Sequence, residues 1–475
     1  MSNEKSLYIG GKIVEGSAVY SITNPATMET VASINGASEK DVQLALECAQ
    51  NAFSAWSTTS VENRIEWMMK LKNALIDNEQ PLREAVHLEM GKSWASTHDD
   101  YSMLIDSLDY YAKLIKEKAL LDESQSVADY QHQITRTPIG VAAAFLAWNF
   151  PLLNIAYKVG PAMAAGCPLI IKPSQKTSLS ACVFGEICKS IDLPNGVINI
   201  VCGDDQLVGD TISASTIPAL ISLIGSASVG KHVIKTGATS IKRYSMELGG
   251  NAPVIVLDDA DLDLASDIVA TMKTANAGQI CVTPNRVFVH STVHDEFVAL
   301  VKRKLENVKV GFDKSQDIDM GPLIDMQAWE RIDKTVKEAV SEGAVLELGG
   351  DRPVGLDKGA FYAPTLLTKV SKDMSIYKNE VFGPVVSIIA FSELNKVIEA
   401  ANDTEAGLSS FIFSKNKEVA SNIAKQLAFG EVHVNGICYA INLPHCGLKQ
   451  SGTGIDCSEF ALDEYFAVKR VSTAL

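Results

Sequence analysis

Apolar residues recur along this chain with two different periods, and the changes of period divide it. Between Glu39 and about Glu123 they fall three and four residues apart (Val42, Leu44, Ala45, Ala49, Ala52, Phe53), which predicts amphipathic helices. Met90-Gly91-Lys92 interrupts that pattern as a helix end. Before it, Leu7 to Ile34 predicts short strands in a hairpin, broken by the turn Asn24-Pro25-Ala26-Thr27. After it, Val127 to Thr137 alternates (Val127, Tyr130, His132, Ile134) and predicts a strand that leaves the main body. From Val141 onward short apolar runs (Val141–Leu146, Leu169–Ile171, Val197–Val201, Ala219–Ile224) alternate with helical segments (Leu152–Ala165, Ser178–Ile191). Such alternation predicts right-handed βαβ units on a parallel sheet. Past residue 281 it resumes with strand Val287–His290, helices His294–Asn307 and Met326–Glu342, and strand Ala344–Leu348. The expected fold is therefore α/β, with two doubly wound parallel-sheet domains. The tail, Tyr465 to Val471, alternates again and predicts pairing with another strand, across a subunit interface.

Composition narrows the class. A chain of 475 residues exceeds one core and implies two or three packed units. With 47% hydrophobic and 21% charged residues it reads as an ordinary globular protein. A net charge of -15 argues against nucleic-acid or anionic-membrane partners. Nine cysteines are scattered, Cys182 and Cys188 being the closest pair, which reads as reduced thiols in a cytoplasmic enzyme. Met1 to Gly11 is polar and lacks a signal-peptide apolar core. The richest apolar run, Val159 to Ile171, is broken by Gly160, Pro161, Gly166 and Pro168, so no membrane span is expected.

The candidate chemistry concentrates between Met246 and Arg286. Glu247 precedes a Gly249-Gly250 turn and an apolar strand, and Cys281 follows a glycine where backbone can pass close to a ligand. An acid and a thiol so placed suit nucleophilic catalysis with a separate base, although a single cysteine is ordinarily a small buried hydrophobe. Two predicted strands end in polar loops, Trp148-Asn149-Phe150-Pro151 and Lys172-Pro173-Ser174-Gln175, at the edge where α/β sheets bind ligands. Asn149 there either caps the following helix or points its amide at a ligand. Gly225 to Lys231 nearly spells a phosphate-binding loop, but His232 stands where a magnesium-binding hydroxyl is required. Taken alone that loop admits a nucleotide triphosphatase, a reading that leaves Cys281 unexplained. His290 and His294 straddle a strand end and a helix start; zinc needs three or four converging ligands, so no metal is expected.

Taken in order, Glu247 in MELGG, Cys281 in GQIC, Asn149 in WNFP, the KPSQ loop, the Gly-Ser turn, Glu380-Val381-Phe382 and Pro444-His445-Cys446-Gly447 resemble the NAD(P)-dependent aldehyde dehydrogenases. The nearest overall likeness is to the succinate-semialdehyde and related ω-semialdehyde branch. The resemblance implies a cofactor domain (1–121 and 138–245), a catalytic domain (246–440) and a small β oligomerisation flap (122–137 and 455–475). It implies a homodimer or homotetramer. Cys281 is then the nucleophile, Glu247 the base that activates water, and Asn149 the donor to the substrate oxygen. NAD or NADP is expected against Trp148, Lys172, Ser174, Gln175, Gly225, Ser226, Gly230, Leu248, Glu380 and Phe382. In this family an acid often stands where Gln175 does, so its absence predicts that NADP is accepted. Tyr157 and Ala275 occupy the places of the branch's carboxylate-binding arginines, and Tyr439 that of the assisting serine. The expected substrate is a short aldehyde with an anionic far end, such as succinate semialdehyde, held by Tyr157, Tyr439 or His445. Sulfolactaldehyde and aminoaldehydes are the alternatives.

Overall fold

The structure, a computed structural model, describes residues 4–118 and 123–475. Two sheets organise it. The first has eight strands in the order Gly452–Thr453, Arg243–Glu247, Pro218–Ile224, Val141–Phe145, Leu169–Lys172, Ile198–Ile200, Leu7–Ile9 and Lys12–Val14. Its five inner strands, Arg243–Glu247 to Ile198–Ile200, run parallel, and antiparallel strands close both edges. The second has seven strands, Val345–Leu348, Thr365–Thr368, Val385–Phe391, Pro284–His290, Ala252–Val256, Ser409–Phe413 and Glu431–Val434. All are parallel except Val345–Leu348 at one edge.

Both sheets are covered on both faces, and so their central strands read as unbroken apolar runs. In the second sheet Ile255, Phe288 and Ile412 enter one core while Val254, Val256, Val287 and Phe411 enter the opposite one. The expected doubly wound α/β architecture is present, with antiparallel edges added.

The first 36 residues depart from a single hairpin. Leu7–Ile9 and Lys12–Val14 join the first sheet, whereas Ala18–Thr23 and Thr30–Gly36 pair with Glu4–Lys5 in a separate three-stranded sheet. Four helices follow, Glu39–Trp56, Val61–Asp77, Glu79–Met90 and Ser96–Lys118. The first starts at a reciprocal cap, in which Ser38 Oγ accepts from Asp41 N and Asp41 Oδ2 accepts from Ser38 N. The third ends at Gly91, whose φ of 71° is left-handed. The helix Ser96–Lys118 packs so closely on Pro151–Ala165 that a Cβ on Gly160 would lie 2.2 Å from Ser107 Oγ.

A fourth sheet pairs Phe466–Ala474 with Tyr130–Pro138, and that strand with Glu123–Val127. The expected alternating strand is thus Tyr130–Pro138, joined through a turn at residues 128 and 129 to Glu123–Val127, and residue 122 lies outside the described residues. The tail divides differently from expectation. Residues from 458 to 464 form a helix whose Ala461 and Leu462 belong to the first sheet's core, and within the tail Phe466–Ala474 enters the fourth sheet. All nine cysteines are free. Cys182 meets Cys202 at 3.6 Å rather than its sequence neighbour Cys188. Among the described residues no helix is long and apolar enough to cross a membrane.

Candidate active site

Strand polarity brings the candidate residues together. Trp148 and Asn149 follow Val141–Phe145, Lys172 ends its strand, Gly225 follows Pro218–Ile224, and Glu247 ends Arg243–Glu247. All these are carboxyl ends of the first sheet's parallel strands. Facing them are loops that lead into the second sheet: Cys281 before Pro284–His290, and Glu380 and Phe382 before Val385–Phe391. Between them lies a cleft of about 780 Å³. Its lining includes Trp148, Asn149, Lys172, Ser174, Gly225 and Ser226, and also Glu247, Leu248, Cys281, Glu380 and Phe382.

Cys281 sits behind a strained turn. Asn276 and Ala277 have φ of 48° and 53°, and Gly278 has 70°; left-handed non-glycine residues cost about 1–2 kcal/mol each. Side chains hold the turn: Gln279 Nε2 donates to Asn276 O at 2.9 Å, and Asn276 Nδ2 donates to Asn149 O at 3.0 Å. The Gly249-Gly250 turn passes directly against the cysteine, because a Cβ on Gly250 would lie 2.4 Å from Cys281 O. That contact ties the strand end bearing Glu247 to the loop bearing the thiol.

Asn149 does not cap its helix. Asp100 does that work, accepting from Leu153 N at 2.7 Å while its other oxygen takes Lys92 Nζ at 2.8 Å in a buried pair. Asn149 Nδ2 instead donates to Gln279 O at 3.1 Å, beside the Cys281 turn, and its Oδ1 is buried without a partner. Both carboxylate oxygens of Glu247 are likewise buried and unpartnered. Burial holds Glu247 well above the usual carboxylate range. Buried polar atoms without partners are rare outside functional sites.

The remainder of the cleft has the chemistry of a dinucleotide site. The helix Ala227–Gly237 presents its N-terminus, capped by Ser226, where an anion is favoured. Gly230 lies under it, and a Cβ there would press on Leu248 Cδ1 at 3.1 Å. Glu380 accepts from Gly250 N at 3.1 Å, and burial pushes its carboxyl up to about 7. Phe382 meets Trp148 edge-on, with centroids 5.5 Å apart, and Arg331 Nη1 donates to Val381 O at 2.7 Å. Ser174 caps the short turn Gln175–Thr177. His232, at the position that excludes a magnesium-binding hydroxyl, pairs with Asp210 at 2.6 Å. His290 and His294 bond separately to Thr292 and Asp295, and among the described residues no three ligands converge on a metal.

Sequence reasoning missed two acids here. Asp205, at the start of helix Asp205–Ala214, pairs with Lys172 Nζ and accepts from Gln175 N at 3.0 Å. A carboxylate absent at 175 is thus supplied from 30 residues away in sequence. Glu431, on strand Glu431–Val434, accepts from His445 Nδ1 at 2.6 Å. Glu431 therefore occupies one nitrogen of the His445 ring. Tyr157 is half-buried near Cys457, Asp456 and Cys281, and Tyr439 reaches Ser409 Oγ at 3.4 Å. The spacing of neither acid to its partner carries a periodic signal.

Comparison with known proteins bears on this cleft. A model described as the aldehyde dehydrogenase family matches residues 13–471. A mitochondrial succinate-semialdehyde dehydrogenase of Oryza sativa subsp. japonica is 34% identical over 98% of this chain and 88% of its own. A crystal structure of an Escherichia coli NADP-dependent enzyme superposes with a TM-score of 0.95 at 30% identity, covering 99% of this chain and 98% of that one. A betaine aldehyde dehydrogenase from Staphylococcus aureus, crystallised with NAD+, does so with a TM-score of 0.95 at 31% identity, covering 99% and 94%.

Proposed function

The chain belongs to the aldehyde dehydrogenase family, and from that premise we propose that it oxidises a short aldehyde to its carboxylic acid through a thioester on Cys281. The observation that carries the reading is the meeting of Cys281, Asn149 and the unpartnered carboxylate of Glu247 at the head of a dinucleotide-shaped cleft. Cys281 Sγ attacks the aldehyde carbon. Asn149 Nδ2 and the Cys281 N–H receive the negative charge that develops on the aldehyde oxygen. Bound in the cleft, NAD or NADP supplies the hydride acceptor. Glu380 would hold the nicotinamide ribose, Phe382 and Trp148 the ring, Ser226 and its helix the pyrophosphate, and Lys172 the adenosine ribose. Glu247 then takes a proton from water, which attacks the thioester and releases the acid.

Asp205 favours NAD over NADP. Its carboxylate neutralises Lys172 and would face a 2′-phosphate with like charge. Half-exposed charges are worth roughly 1 kcal/mol or less. Asp205→Asn should therefore tighten NADP+ binding relative to NAD+ by up to about fivefold, measured by cofactor titration of the protein without aldehyde. An unchanged ratio of dissociation constants would remove Asp205 from cofactor choice.

On the substrate's far end, the charges near Cys281 speak against the carboxylate that sequence resemblance favours. His445 is paired with Glu431, and Lys158 with Asp456 at 2.5 Å. No unpaired cation among these neighbours is left for an anion, whereas the Tyr157 and Tyr439 hydroxyls suit a hydrogen-bonding or cationic tail. Matched four-carbon aldehydes ending in carboxylate, hydroxyl and ammonium separate the readings. The carboxylate should show the lowest kcat/KM, by about tenfold for one missing charge-assisted bond. The highest value for the carboxylate would restore the semialdehyde reading. The fourth sheet leaves Val468 and Val471 exposed on its outer strand, which supports assembly of copies of the chain into the expected homo-oligomer.

A further inference from the structure

Asn149 stands on a loop, Trp148 to Phe150, that is held from behind by a buried ion pair distant in sequence. We propose that Lys92 and Asp100 are positioning residues for the reaction: together they fix the turn from 148 to 153 so that the Asn149 amide meets the oxygen of an aldehyde at Cys281. The inference rests on the proposed function, in which Asn149 is the donor to that oxygen.

Each member of the pair grips one part of the turn. Lys92 Nζ donates to Asp100 Oδ2 at 2.8 Å, and neither side chain is exposed. Asp100 Oδ1 accepts from Leu153 N at 2.7 Å, in the first turn of Pro151–Ala165. Lys92 Nζ lies 3.5 Å from the centroid of the Phe150 ring, on the residue between Asn149 and that helix. Phe150 itself makes no side-chain cap. A carboxylate thus answers the positive end of the helix, and a desolvated cation seats the ring. Asn149 is left with its amide donating to Gln279 O at 3.1 Å.

The same pair is tied to the cysteine turn. His87 Nδ1 donates to Lys92 O at 2.6 Å, and the His87 ring stacks on Phe312 with centroids 4.1 Å apart. Gly321 passes so close to the residue before Lys92 that a Cβ on it would lie 2.1 Å from Gly91 O. Three residues on, Ile324 N donates to Gln279 Oε1 at 2.9 Å, and Gln279 stands two residues before Cys281. One backbone segment, 321–324, therefore runs from the foot of the ion pair to the turn that presents the thiol. Asn149 and Cys281 are set against a common support, where a misplacement of about 1 Å can cost on the order of 10²-fold in rate.

Replacing a buried ion pair by apolar side chains of similar volume is often neutral for stability, whereas removing one partner strands a charge. The test variant is therefore Lys92→Met combined with Asp100→Leu. It should fold, bind NAD+ within about threefold of wild type, and lose about ten- to a hundredfold in kcat while KM for the aldehyde moves far less. Asn149→Ala distinguishes positioning from general loosening. Once the amide is gone the pair has nothing left to aim, so in that background the double replacement should change kcat by less than about threefold. A loss there as large as in the presence of Asn149 would overturn the proposal, as would wild-type kcat in the double replacement alone. Should that variant fail to fold, Lys92→Met with Asp100→Asn, which keeps an acceptor for Leu153 N–H, goes through the same cycle under the same criteria. Aldehyde-dependent NAD+ reduction by wild type, and its fall in Asn149→Ala, test the proposed function itself. Where both hold and the two losses simply multiply, the positioning role alone fails. Where wild type does not turn over, the proposed function fails, and a crystal structure of the double replacement decides the positioning. An Asn149 Nδ2–Gln279 O bond kept near 3.1 Å overturns it, and a broken one upholds it.

Discussion

Cys281→Ala should abolish aldehyde oxidation while leaving cofactor binding nearly intact. In the proposed mechanism the thiol forms the bond to the aldehyde carbon, so the expected fall in kcat is on the order of 10⁴-fold or more, as for other enzymes deprived of their nucleophile. The variant should still fold, because Cys281 is only half-buried and its turn is held by Gln279, Asn276 and Gly278 rather than by the sulfur. Titration with NAD+ should give a dissociation constant within about threefold of wild type, roughly 0.7 kcal/mol. Turnover at the wild-type rate would end the thioester mechanism.

Glu247→Gln should separate acylation from hydrolysis. Removing a general base costs roughly 10²–10⁴-fold, and that loss should fall on the water step. The variant should release a burst of one reduced cofactor per active site and then turn over slowly. Rapid-mixing absorbance measures both phases, and an unaltered steady-state rate would withdraw Glu247 as the base. Stability should move the other way. Burial raises the folded-state pKa of this acid above its unfolded value, so the folded protein binds the proton more tightly. Wild-type stability is then fully present below the ordinary carboxylate range and is lost as pH rises towards the raised value. A neutral glutamine escapes that loss. Glu247→Gln should therefore melt higher than wild type at pH 8, and the gap should close as pH falls below about 4.

How far the site is legible in sequence differs from residue to residue. Cys281, Glu247 and Asn149 each stand in a short run whose neighbours are constrained with them. Gly250 must lack a Cβ because the Cys281 carbonyl is 2.4 Å from where one would sit, so MELGG and GQIC carry a record of their own contact. Asn149 was ambiguous, and the ambiguity lay 49 residues upstream: Asp100 at the N-terminus of Pro151–Ala165 makes an Asn149 cap unnecessary. Gln175 misled in a similar way, since its own position says nothing of the Asp205 carboxylate bonded to its N–H.

Period and composition by themselves determined the alternating α/β order, the two sheets with both faces buried, and the segment that leaves the body, because burial on a strand or helix writes itself into adjacent residues. They did not determine the antiparallel edges of either sheet, the helix Ser458–Glu464 within the expected flap, or the departure of Thr30–Gly36 from the first sheet. Edge strands and short helices are decided by whichever neighbour covers them, and that neighbour is distant in sequence. The same holds for the partners that set each group's protonation. Glu431 meets His445 from 14 positions away, and Asp205 meets Gln175 from 30. Charge and hydrogen bonding act over a few ångströms through space, and only the folded chain decides which groups share that distance.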